Sequence, residues 1–209
     1  MNEENHFDAA AASWDSNPQL QERAAEVAEI IRPFIKKGVR TEALEFGCGT
    51  GLTSAKLYND LDSITLIDSS QGMIRQLEKK IADNGFDRIS ALNMELTSSD
   101  QLDRRFNLIY TVMALHHVHD YKKLIQIFFD LLTPRGRLVI IDLVSEDGSF
   151  HEHIHDYSGH NGFDREELEA AFSAIGFRDS DYSIVYTNRK LRNGEWIEYP
   201  LFMLTAVRP

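Results

Sequence analysis

Apolar residues recur along this chain at two spacings. In "PQLQERAAEVAEIIRPFI", Val27, Ile30, Ile31 and Phe34 fall three and four apart, which predicts an amphipathic helix over 18–35. Short apolar runs predict five strands: "TEALEF" at 41–46, "SITLIDSS" ending in Asp68, "RISALNMEL" at 88–96, "FNLIYTVMAL" at 106–115 and "RLVIIDLV" at 137–144. Helical patterns lie between and after them: "GLTSAKLYN" at 51–59, "QGMIRQLEKKIADNG" closed by Gly85, "DYKKLIQIFFDLL" at 120–132, and "DREELEAAFSAIGF" with Asp164 as its N-cap. "PRG" at 134–136 predicts a turn. "YSIVYT" and "WIEYPLFMLTAVRP" predict two last strands around a turn at Asn193-Gly194, a hairpin with a loop longer than two residues. Residues 1–18 are polar with two aromatics, Phe7 and Trp14, and predict an arm or a short helix.

Strands alternating with helices imply a parallel sheet with helices on both faces, a doubly wound α/β fold. The closing hairpin adds antiparallel strands at one edge. The 209 residues suit one domain, and 43% hydrophobic residues can fill its core. A net charge of −11, from 33 acids and 22 bases, argues against a phosphate backbone as the main partner. The one cysteine, Cys48, excludes an internal disulfide. The first residues lack a basic region followed by an apolar one, and no apolar run reaches membrane-spanning length. The expectation is a soluble cytoplasmic protein with no nucleic-acid or membrane partner.

The chemistry concentrates at "EFGCGTGLTS", 45–54. Gly47, Gly49 and Gly51 stand between a strand and a helix, where open α/β sheets bind ligands. The G-x-G-x-G spacing is not the dinucleotide fingerprint, and no P-loop is present. Glu45 beside the loop is ill suited to a pyrophosphate and well suited to a cationic or amine-bearing group. Asp68, closing the second strand, can accept both hydroxyls of a ribose, or it can cap the next helix; the ribose reading is favoured. Cys48 reads as a small filler rather than a nucleophile.

"LEFGCGTG", "LIDSSQGM", "FNLIYTVMALHHVHD" and "LLTPRGRLVIIDL" occur in this order over about half the chain. Together they resemble the class I S-adenosylmethionine-dependent methyltransferases of small-molecule type. The resemblance implies a seven-stranded sheet of order 3-2-1-4-5-7-6 with strand seven antiparallel and a small N-terminal helical cap. It implies a cap and first helix over 1–35, a cofactor-binding core over 41–145, and a substrate-side loop, helix and hairpin over 146–209. S-adenosylmethionine is the implied cofactor. Glu45, Gly47, Gly49 and Gly51 would hold its methionine half, and Asp68 its ribose. Ser69 and Met73 would flank the adenine. Glu95, with the Leu96 backbone, would read the adenine edge, although "NMELTS" departs from the Gly-Asp-like pattern usual there. Thr111 would face the sulfonium. "FDAAAASWD" resembles the cap of small-molecule members, and "GSFHEHIHDYSGHNGFDREEL" resembles the segment after strand five.

Histidines supply the remaining candidates. Of His116, His117 and His119, His117 is favoured as a general base at the acceptor site. His151, His153, His155 and His160 alternate along one segment, a spacing that can ligate zinc or iron; a loop over the acceptor is favoured, and no metal is assigned. Phe7, Trp14 and His160 are the acceptor-side candidates, and Tyr157 and Phe163 can add to an aromatic wall. Residues 1–18 and 151–163 are expected to form a lid. The expected function is methyl transfer to a small molecule, and a homodimer is left open. The rivals are a cofactor-binding protein without turnover, a macromolecule methyltransferase, and a metal-dependent hydrolase.

Overall fold

The computed structural model describes residues 3–36, 38–152, 154, 157–192 and 194–209. Its sheet holds β1 (Glu42–Phe46), β2 (Ser63–Asp68), β3 (Ile89–Asn93), β4 (Phe106–Val112), β5 (Leu132–Leu143), β6 (Arg178–Arg192) and β7 (Glu195–Val207). The order is β3-β2-β1-β4-β5-β7-β6. The first five strands are parallel, and β7 runs antiparallel between β5 and β6. This is the expected sheet. The helices are α1 (Glu3–Trp14), α2 (Pro18–Ile31), α3 (Leu52–Leu57), α4 (Gln71–Asn84), α5 (Tyr121–Leu131) and α6 (Arg165–Ile175).

Strand alternation builds two cores. On one face Ile109, Leu138 and Ile140 pack with Phe128 of α5 and Phe172 of α6. On the other Leu108, Tyr110, Val139 and Ile141 pack with Val27 and Ile31 of α2, Leu57 of α3 and Leu77 of α4. The helix ends are set locally. Asn17 accepts from the Gln19 amide at 3.0 Å with Pro18 at the first helical position, and Asp164 accepts from the Glu167 amide at 3.0 Å. Gly85 ends α4 in the left-handed region.

Two expectations change, and a third is narrowed to one of its alternatives. The hairpin strands run on to Arg192 and Glu195, which face each other in register, so only two residues of the chain, rather than more, separate the strand ends. Past the longest apolar run, Arg189 pairs with Glu198 at 2.9 Å while Ile197 and Tyr199 still pack toward the core. "PRG" lies inside β5 rather than ahead of it, and the chain bends there as a bulge within the strand: Arg135 has φ 63°, and the register against β4 jumps from Leu132 to Arg137, while the Arg135 amide donates to the Arg208 carbonyl at 2.8 Å and the Arg208 amide to Gly136 at 2.9 Å. Of the arm or short helix expected at the N-terminus, the structure has the helix, α1 over Glu3–Trp14. Asp8 on α1 accepts from the Ser70 hydroxyl at 2.6 Å and the Gly72 amide at 2.7 Å, which docks α1 on the start of α4. Among the described residues no helix is long and apolar enough to cross a membrane.

The segment after β5 is sewn to the sheet rather than hung over it. The Ser145 amide donates to Phe163 at 3.1 Å, Glu146 to Asn161 at 2.9 Å, and Phe163 to Leu143 at 2.9 Å. His153 and His155 lie outside the described residues.

Candidate active site

A cavity of about 510 Å³ opens at the C-terminal ends of β1 to β4. Loop residues 47–50 form one wall, Asp68, Ser69 and Met73 a second, Met94–Thr97 a third, and Val112–Ala114 with His117 a fourth. Phe7 and Trp14 of α1 close it from above.

The glycine loop is bent by contacts that a side chain would break. Gly47 has φ +65°, and a Cβ there would stand 2.2 Å from the Ala114 Cβ. Ala114 sits so close because Met113, a non-glycine residue at φ 53°, turns the chain back after β4. Gly51 serves packing instead. A Cβ there would meet Leu77 of α4 at 2.7 Å, and Gly51 is not part of the cavity wall.

Asp68 binds the loop. One carboxylate oxygen accepts the Gly49 amide at 2.7 Å, and the other accepts the Ser70 amide at 2.8 Å. The cap of α4 is Ser70, whose hydroxyl accepts from Met73, so Asp68 is not the N-cap. Burial raises the Asp68 pKa against these two amides. Two oxygens offer about four lone-pair positions, which leaves capacity for a ligand's hydroxyls.

Glu45 is buried, and Ser54 donates to its carboxylate. The Ser54 hydroxyl also meets the Tyr110 hydroxyl at 2.6 Å. Burial pushes the Glu45 pKa up to about 8, with the Asp68 charge adding to it. A cationic ligand group would restore its charge. Cys48 is buried, and its thiol is held well above its usual pKa by that burial, as suits a filler.

The fit to S-adenosylmethionine is therefore chemical: a buried carboxyl that burial keeps protonated, a second carboxylate with spare acceptor capacity, and an apolar slot at Met73, Met94 and Leu96. Glu95 is exposed on the rim, with its carbonyl held by Gln101 at 2.9 Å. Thr111 is fully buried and lies outside the wall; β4 ends one residue later, and Val112–Ala114 line the cavity there.

The acceptor-side expectations divide. Phe7 and Trp14 pack edge to face at 5.9 Å, and Phe7 meets the His117 ring at 5.1 Å. His160 lies behind the wall. Its Nε2 contacts the Val118 and His119 carbonyls, each at 3.1 Å, so it pins the loop that carries His117. Phe163 belongs to the core beside Phe202, and Tyr157 packs on His151, neither on the wall. Of the two segments expected to cover the acceptor, α1 alone lines the cavity among the described residues. Asp15 reinforces it by accepting from Thr50 and pairing with Lys80 at 2.7 Å.

Several wall residues escaped the sequence reading, Arg23 among them. Arg23 of α2 lines the cavity and donates to Asn188 at 3.3 Å, and burial lowers its pKa. Its signal was a cation three residues after Leu20 and four before Val27, inside the apolar stripe.

A family model described as a methyltransferase domain matches residues 19–181. An uncharacterized methyltransferase of Schizosaccharomyces pombe is 32% identical over 120 residues, 54% of this chain and 42% of that protein. A malonyl-[acyl-carrier protein] O-methyltransferase of Ilyobacter polytropus is 26% identical over 137 residues, 64% of this chain and 48% of that protein. The chain spans about half the length of the curated relatives it matches. Among solved structures, the Haloferax volcanii partner of the Trm112 methyltransferase activator superposes with TM-score 0.74 at 16% identity over 97% of both chains. With the glycine loop, Asp68 and the sheet order in place, the chain belongs to the class I S-adenosylmethionine-dependent methyltransferase family.

Proposed function

We propose that the protein transfers the methyl group of S-adenosylmethionine to a small-molecule acceptor. The observation that carries this reading is the pairing of Glu45 and Asp68 on one roofed cavity. Glu45 would take the cofactor's ammonium and Asp68 its ribose. Ser69 and Met73 would bracket the adenine, and Glu95 and Leu96 would meet its edge. The methyl group is already activated on sulfur, so the protein's work is alignment and exclusion of water. Phe7, Trp14 and His117 surround the remaining space, and they favour a small acceptor over a macromolecule because α1 narrows the entrance. The −11 charge favours the same choice. Arg23 would attract an acceptor bearing a carboxylate. His117 stands where a base would take the acceptor's proton.

Incubation of the purified protein with methyl-labelled cofactor and fractionated metabolites tests this. Label in a small product with release of S-adenosylhomocysteine is expected. Cofactor binding without label transfer would leave the non-catalytic reading. Label in RNA or protein would overturn the small-molecule assignment.

A further inference from the structure

The histidines that the fold brings together are not those that alternate in sequence. His116 and His117 leave the end of β4, and His151 stands in a single turn, Ser149–His151, after β5. One ring nitrogen from each lies within 4.8 Å of those of the other two. Ring centroids are 4.1 Å apart for His116 and His117, 4.9 Å for His116 and His151, and 5.4 Å for His117 and His151. His116 and His151 are buried.

A second observation points to a ligand. His116 Nδ1 lies 2.5 Å from Asp142 Oδ1, and both groups are buried. Asp142 is held in turn by the Leu143 amide at 2.7 Å and the His116 amide at 3.3 Å. A carboxylate so fixed selects the Nδ1–H tautomer and puts the His116 lone pair on Nε2. This arrangement stands behind metal-bound histidines and raises their basicity. The other rings are positioned as well. Tyr157 stacks on His151 at 4.0 Å and 12°, and Phe7 meets the His117 edge.

We propose that His116, His117 and His151 bind a divalent transition-metal ion, zinc first, with Asp142 as the positioning residue for His116. Three neutral imidazoles suit zinc and iron rather than magnesium or calcium. Zinc–nitrogen bonds of about 2.1 Å in a tetrahedron put ligand nitrogens roughly 3.4 Å apart, so the rings need to close by up to about 1.4 Å. Three protein ligands leave a fourth position open, and His117 brings the set to the cavity wall. The role of that position rests on the methyl-transfer reading. An acceptor O–H or S–H would bind there as its anion, its proton passing to solvent water, and His117, its lone pair given to the metal, would then give up the role of general base.

The test uses chelator-treated, dialysed full-length protein, titrated with zinc by calorimetry and with cobalt(II) by visible absorption. One equivalent of zinc is expected, with Kd on the order of 1 μM or tighter. His151→Ala should abolish it. So should His117→Ala, the less buried and safer change for folding. Asp142→Asn should weaken zinc binding about 10–100-fold and shift the cobalt bands, which a merely structural role would not do. No stoichiometric zinc binding by the wild-type protein would overturn the proposal, and so would binding that survives both histidine changes. Full affinity in Asp142→Asn would remove Asp142 from it. S-adenosylmethionine affinity measured on the same samples tests the methyl-transfer reading separately: zinc binding without cofactor binding would sink that reading and leave the metal site standing.

Discussion

Asp68 holds the glycine loop through Gly49 and the start of α4 through Ser70, while its remaining lone pairs face the cavity. Asp68→Ala should therefore weaken S-adenosylmethionine binding by about 2 kcal/mol and also lower stability, since two amides lose their acceptor. Calorimetry and thermal melting read the two effects. Unchanged affinity would remove Asp68 from the site. Glu45 makes a pH prediction. Below its usual pKa of 4.5 the carboxyl is neutral in folded and unfolded chains alike. Between 4.5 and about 8 the unfolded chain ionises while the folded one stays protonated. This group's contribution to stability is present at low pH and lost as pH rises through about 8. A bound ammonium reverses the preference, so cofactor binding at pH 7 should release a proton. The calorimetric enthalpy should then depend on the buffer's ionisation enthalpy, and Glu45→Gln should remove that dependence. Identical enthalpies in two such buffers would contradict the assignment. Asp68 and Glu45 were legible because each sits at a strand end beside a loop signal. Asp142 was not, because it reads as one more residue of a buried strand until β4 places His116 against it.

Among the elements, helices with caps and glycine stops were legible, as Asp164 and Gly85 show. α1 was half legible: "AAAA" with two aromatics lacks an amphipathic stripe, because its docking is polar, through Asp8 and Asp15. The hairpin's length was hidden for a different reason, since its distal half mixes charged and apolar residues: Arg189 pairs with Glu198, while Ile197 and Tyr199 pack toward the core. The α1 contact makes its own prediction. A Cβ on Gly72 would stand 2.9 Å from the Asp8 Cα, a backbone atom that cannot step aside without moving the helix. Gly72→Ala should lift α1 while leaving α4 intact, since alanine is the better helix former. Hydrogen exchange over 3–14 should accelerate, with a melting temperature near that of the wild type. If exchange there is unchanged, α1 is not held by this contact, and the lid is fastened elsewhere.

For the molecule as a whole, the sheet order was legible because each parallel crossover obeys one handedness rule and the loop motifs mark which strands carry the ligand. What the sequence could not show is how far the ligand is bound by joints between elements. The cavity takes walls from β1, β2 and β4, the β3 loop, α1 and α2, so a ligand filling it ties together parts that contribute to both cores. A ligand bound only by the folded state stabilises it by mass action, about 2.7 kcal/mol at a hundredfold excess over Kd. For a chain of this length each kcal/mol moves the midpoint by roughly 2–4 °C, so saturating S-adenosylmethionine should raise the melting temperature by about 5–10 °C. The rise should be largely lost in Asp68→Ala. It should survive, reduced, when residues 1–14 are deleted, because Glu45, Asp68 and the glycine loop remain. If the truncated protein gains as much as the wild type, α1 adds nothing to the closed state. If the wild type gains nothing at all, the cavity does not bind this cofactor.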